Sequence, residues 1–185
     1  MIKKNKSVTL VELLISVTVV SIMVLSFYSL DTFSRTQVLN SDRRAKLQNE
    51  LSLALEHMSK YVQQATGNNL AAGNQAIRAV AGGFQVRVDL NNPQNPFSLT
   101  DDAWVTYTLA VNTLSTQCAP AARCGSFSNA TLSLKVITFN PQIANNGTSV
   151  LINLVGRHTP GQAASLRNPQ VEVRTRLVCG NCSIN

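Results

Sequence analysis

The sequence predicts an α+β fold: one long N-terminal helix, then an antiparallel β-sheet packed on the C-terminal half of that helix. Three observations carry the expectation. No Pro or Gly interrupts residues 8–65, and apolar residues recur there at helical spacing. After Gly67 the apolar period shortens to two. The connections between the later apolar runs are rich in Asn, Gly, Ser and Pro, the residues that reverse a chain. Composition agrees, since 185 residues with 44% apolar and 14% charged side chains make a globular chain, not a disordered or collagen-like one. A multidomain enzyme is disfavoured by length alone.

Residues 1–7 are short, polar and basic, and Lys3, Lys4 and Lys6 supply three of the formal net charge of +7. The +4 left beyond Ser7 does not by itself call for a nucleic-acid partner. From Val8 to Leu30 run 23 residues interrupted by a single charge, Glu12. As a helix that segment is roughly 35 Å long, enough to cross a bilayer core. It ends in Phe27-Tyr28-Ser29-Leu30-Asp31 with no Ala-x-Ala cleavage signal, so it reads as a retained anchor and not a secretory signal peptide. Arg35, Arg43, Arg44 and Lys46 after the span nearly balance the three lysines before it. The four cysteines tip the orientation towards a cytoplasmic N-terminus and an external bulk. A carboxylate inside such a span is costly and usually has a task and a partner, which makes Glu12 the most informative residue in the chain.

The string Lys3-Lys4-Asn5-Lys6-Ser7, followed by Val8-Thr9-Leu10-Val11-Glu12-Leu13-Leu14-Ile15, resembles the prepilin leader and N-terminal segment of type IV pilins and type II secretion pseudopilins. The resemblance implies a cut between Ser7 and Val8 by a prepilin peptidase, N-methylation of the new amino terminus, and pairing of Glu12 with the amino terminus of a neighbouring subunit. The family usually has Gly before the cut and Phe after it, where this chain has Ser7 and Val8. The implied organisation is a leader over 1–7, a membrane and filament-core half-helix over 8–34, and a pilin head over 35–185. The implied location is the inner membrane with a periplasmic head, and then a pilus or pseudopilus. The head most resembles the J-type pseudopilin and W-type minor pilin arrangement.

Further along, Leu47, Leu51, Leu55, Met58 and Val62 form one apolar stripe at spacings of 4, 4, 3 and 4. Joined to the span, the helix reaches about 58 residues, or roughly 87 Å. Phe84, Val86, Val88 and Leu90 then alternate with Gln85, Arg87 and Asp89, which predicts a half-buried strand that breaks at 91–96. Further strands are predicted over 104–111, with Val105, Tyr107, Leu109 and Val111 on one face, and over 131–139, through Leu132, Leu134 and Val136. Two more follow over 149–155 and 170–179. The long connections are 112–130, 140–148 and 157–169.

Cys118, Cys124, Cys179 and Cys182 allow three disulfide pairings, and spacing alone leaves the choice open. In an oxidising compartment the near pairs, Cys118–Cys124 and Cys179–Cys182, are favoured because short separations close readily. The rival, a zinc site, suits the second pair, but the first has five residues between its sulfurs and no His stands nearby. Among other groups, His57 reads as solvated and His158 as a loop residue. Asp101-Asp102 reads as a turn leading into a strand, with too few ligands for calcium even with Asp89. No metal, cofactor or enzymatic activity is expected. Arg157, His158, Arg167, Arg174 and Arg176 form a basic cluster against Glu172 alone. Arg174 and Arg176 on one strand face are candidate nucleic-acid contacts, although no aromatic platform accompanies them. The leading expectation is therefore a minor pilin or pseudopilin, with other pilin subunits, the prepilin peptidase and the inner membrane as partners. The alternatives are a DNA-binding competence pilin, and an unprocessed bitopic membrane protein with a periplasmic head.

Overall fold

The computed structural model describes residues 9–67, 73–90, 94, 98–180 and 182. Ser7 and Val8, where the expected cut falls, lie outside the described residues. The chain divides into two units, Met1–Ser41 and Asp42–Asn185. Helix α1 spans Leu10–Gln63. Among the described residues of the first unit, which are all helical beyond Thr9, every large apolar side chain is exposed.

In the second unit α1 is followed by eight strands: β1 Ile77–Val80, β2 Gly83–Val88, β3 Ala103–Ala110, β4 Thr113–Ala119, β5 Ala130–Ser133, β6 Val136–Ala144, β7 Ser149–Arg157 and β8 Gln170–Val178. They form two antiparallel sheets, a five-stranded one ordered β1-β2-β3-β4-β5 and a three-stranded one ordered β6-β7-β8. The architecture is α+β and consistent with the pilin fold.

The helix buries Leu47, Leu51, Ala54, Met58 and Val62 in a core shared with both sheets. Ala54 takes the central place that the sequence assigned to Leu55. On a helix Ala54 lies about 20° from Leu47 around the axis and Leu55 about 80°, so the larger residue sits on the rim. Close approach is permitted by Gly156 of β7, where an added Cβ would lie 3.0 Å from both Leu51 methyls and 3.1 Å from Leu47 Cδ1.

Several predicted strands are corrected. β2 is buried on both faces, not half-buried: Gln85 and Arg87, and Asp89 just past its end, are buried as well as their apolar neighbours. β2 lies between β1 and β3, Arg87 donates to the carbonyl of Gly73, and the Arg78 and Arg87 guanidinium groups stack on the Trp104 ring at 4.0 and 4.8 Å. The strand predicted over 131–139 is two strands in different sheets, and Leu134 at the crossing is 63% exposed. Glu50 of the helix fixes that crossing, accepting from Ser133 Oγ and from Lys135 Nζ at 2.7 Å each. Val111 is not on the inner face of β3. It is 91% exposed, at φ 58°, in the two-residue turn that leads to β4. β1 and β4 stand where no strand was predicted. β6 runs on through Pro141 into the expected 140–148 loop, and it tolerates the proline as an edge strand of its sheet.

Candidate assembly segment and head surfaces

Thr9 precedes the first helical residue and Glu12 stands three residues on, the arrangement of a capping box. The Thr9 backbone N–H and hydroxyl donate to Glu12 Oε2 at 3.0 and 3.1 Å, and the Glu12 N–H donates to Thr9 Oγ1 at 3.3 Å. The carboxylate also lies at the positive end of the helix dipole. In the isolated chain, therefore, the one acid of the apolar segment is held by its own helix start.

Beyond it the helix is made for a nonpolar surrounding. An 18-residue window reaches a mean hydropathy of 2.4 with none of it buried in the protein. Four of its hydroxyls bond back to the helix: Ser16 and Thr18 donate to the carbonyls of Leu13 and Ile15, and Ser21 and Ser26 to those of Val17 and Ile22, all within 2.7–2.8 Å. Back-bonding of this kind removes the cost of carrying an unpaired hydroxyl into lipid or into a packed bundle. The helix is long and apolar enough to cross a membrane, and it fits a membrane anchor. Further on, Asp31 pairs with Arg35 at 2.9 Å and Asp42 with Lys46 at 2.8 Å. Two of the four cations that follow the span thus carry a local counter-charge.

In the head, Cys118 is bonded to Cys124 and Cys179 to Cys182. Cys118 belongs to β4, so the first bond ties a strand end to the short helical turn Ala121–Arg123. The second closes the chain after β8, where Gly180 N–H donates to the Gln63 carbonyl at the end of α1.

His57 is not solvated. Its Nδ1 lies 3.1 Å from the Tyr107 hydroxyl, and its ring packs with those of Tyr61, Tyr107 and Phe127. Burial, and secondarily the Lys60 charge, hold the imidazole below its ordinary value. A shallow groove of about 550 Å³ runs beside it along the helix, past Leu53, Lys60 and Gln64. Asp102 is buried and accepts from Thr66 Oγ1 at 2.6 Å, which ties the chain leaving α1 to the start of β3. Burial pushes its carboxyl up, against that hydrogen bond, and the charge of Asp89 adds to the rise. His158 donates its backbone N–H to Pro169. The described residues contain no group of three or more His, Cys, Asp or Glu placed to hold a metal.

The basic cluster is dispersed by local partners. Arg174 pairs with Glu172 at 2.7 Å, Arg176 reaches Ser149 Oγ at 3.3 Å, and Arg157 holds Gln170 and the Gln162 carbonyl. The Arg167 carbonyl accepts from Arg43 of the helix at 2.7 Å. Arg174 and Arg176 do share the outer face of β8. Sequence reasoning missed the His57–Tyr107 contact, which joins residues fifty positions apart. It also missed the Thr9–Glu12 box, although that box has a local signature in Thr-x-x-Glu.

Residues 2–28 match the family model described as the prokaryotic N-terminal methylation motif. The match supports a type IV pilin-like prepilin of the kind that the prepilin peptidase processes. Comparison with curated proteins and with solved structures gave no match.

Proposed function

We propose that the chain is a minor pilin or pseudopilin, with a structural and not a catalytic role and no cofactor. It is made as an inner-membrane precursor with its head in the periplasm. The prepilin peptidase cuts it between Ser7 and Val8, Val8 is methylated, and residues 8–34 pack with other pilin subunits in a type IV pilus or a type II secretion pseudopilus. The observation that carries this reading is the methylation motif over 2–28, set on an exposed apolar segment that up to Leu30 has Glu12 as its single acid.

The chemistry follows from the cost of a carboxylate in a nonpolar medium. In the monomer Thr9 supplies two donors to one Glu12 oxygen, which makes the segment tolerable in lipid. In the filament the Val8 amino group of an adjacent subunit supplies a full counter-charge, and that pairing offsets burial between helices. Glu12→Gln tests the step, because it keeps a hydrogen-bonding group at the cap while removing the charge. The variant is expected in the membrane fraction at wild-type level and absent from sheared filaments. Wild-type incorporation would sink the charge-pairing mechanism.

A further inference from the structure

Among the described residues, β8 has an open edge of a kind that folded proteins normally protect. Edge strands left unpaired are usually short, carry proline, or are covered. In the five-stranded sheet the edges β1 and β5 are four residues each. In the three-stranded sheet β6 carries Pro141 and packs against β1, β2 and β3. β8 has nine residues, no Pro or Gly, an unshifted register with β7, and β7 as its one strand neighbour among the described residues.

Register shows which backbone groups face outward. Cys179 N–H donates to the Thr148 carbonyl and His158 N–H to the Pro169 carbonyl, and these two bonds bracket the β7–β8 ladder. Both involve odd-numbered positions on the β8 side. Backbone direction alternates along an antiparallel strand, so Val171, Val173, Thr175 and Leu177 bond to β7. Gln170, Glu172, Arg174, Arg176 and Val178 direct their N–H and C=O groups at the open edge, and among the described residues no backbone bond reaches them. On the inner face Val173 and Leu177 are packed against the core yet only partly covered. The outer face reads Glu172, Arg174, Arg176, all exposed.

We propose that β8 is a docking edge for an extended segment of another protein chain, added as an antiparallel strand. The segment carries acids opposite Arg174 and Arg176, a cation opposite Glu172, and apolar residues that complete the cover of Val173 and Leu177. Backbone bonds give the affinity in this mode, and the alternating side chains give the selectivity. The inference does not rest on the assembly role, since capture of a peptide is read from the chain whether or not it enters a filament.

The test uses the full chain in nanodiscs and the peptide Thr-Val-Glu-Val-Glu-Val-Lys-Val-Thr, labelled for fluorescence anisotropy. Laid antiparallel, its glutamates face Arg176 and Arg174 and its lysine faces Glu172. It should bind at least tenfold tighter than the peptide with Glu and Lys exchanged, and the double variant Arg174→Glu, Arg176→Glu should reverse that preference. Backbone N-methylation of the two glutamates, whose N–H groups face β8, should abolish binding, whereas methylation of the central valines between and after them should not. This pair of peptides leaves the protein untouched, so no folding defect can imitate the result. Equal binding of the two methylated peptides, or no preference between the charge patterns, would overturn the proposal. It is also overturned if single-stranded DNA binds, is lost with Arg174→Ala and Arg176→Ala, and is not displaced by the peptide.

Discussion

Thr9 and Glu12 show how much a single local contact decides. The box satisfies the Thr9 and Glu12 N–H groups at the start of the helix. Thr9→Val keeps the shape and removes the hydroxyl, and loss of such a cap costs about 1 kcal/mol. The expected outcome is faster amide exchange at Glu12 and Leu13 with the rest of the helix unchanged; unchanged exchange there would show that the cap is dispensable. His57 is the corresponding residue in the head. Its folded pKa lies below the unfolded value, so the unfolded chain binds more protons as acid is added. The stability that neutral His57 supports is complete above about pH 6.5 and falls as pH drops from there towards the lower folded value. His57→Gln should flatten the fall of the denaturation midpoint on acidification below about pH 6.5, and an unaltered slope would remove His57 from the account. Neither contact with Tyr107 nor burial of His57 was legible, because a histidine between Glu56 and Met58 carries no local sign of a strand residue fifty positions away.

At the scale of elements, what was legible followed periodicity and what was not followed tertiary cover. The helix, β3, β7 and β8 were read from apolar spacing because one face of each meets the core. β4 was hidden because Thr113–Ala119 buries only Leu114 and Thr116 and leaves polar residues on both faces. The turn before it uses Val111 where Gly or Asn would have announced a positive φ. β2 misled in the other direction: its polar residues alternate cleanly, yet Trp104, Arg78 and Gly73 cover them. The split between β5 and β6 depends on Glu50, eighty-three residues from Ser133. Burial pushes the Glu50 carboxyl up, but hydrogen bonds from Lys135 and Ser133, with the Lys135 charge, outweigh it and hold it below its ordinary value of 4.5. That contribution is full above about pH 4.5 and is lost as pH falls through the lower folded value. Glu50→Gln should cost about 1.5–3 kcal/mol at neutral pH, by the usual worth of hydrogen bonds to a charged group. It should also erase the loss of stability on acidification below pH 4.5. Gly156→Ala should cost about 1–3 kcal/mol by forcing the Leu47 and Leu51 side chains aside. A neutral result in urea denaturation would mean that helix and sheet have slack.

For the whole molecule, the two units obey different solvents. Residues 9–41 expose their apolar side chains and bond several of their hydroxyls back to the helix, whereas residues 42–185 hold a closed core with two disulfides. Each disulfide closes a very short loop, so the loop-entropy relation gives each about 2 kcal/mol. Replacing Cys118 and Cys124 by Ser should lower head stability by that amount without changing membrane retention, and loss of retention would contradict the division of labour. The long apolar helix start was legible because apolar length and one misplaced acid are local facts, and the head's general class was legible from the change of period. The one-sided pairing of β8 among the described residues was not, since a strand's place in its sheet is not a property of any one segment. The central claim, that this chain is a processed subunit and not a permanent bitopic protein, is tested most directly by the intact mass and N-terminal peptide of the protein taken from its native membranes. The account predicts a chain that begins with N-methylated Val8. A chain that begins at Met1 would contradict it.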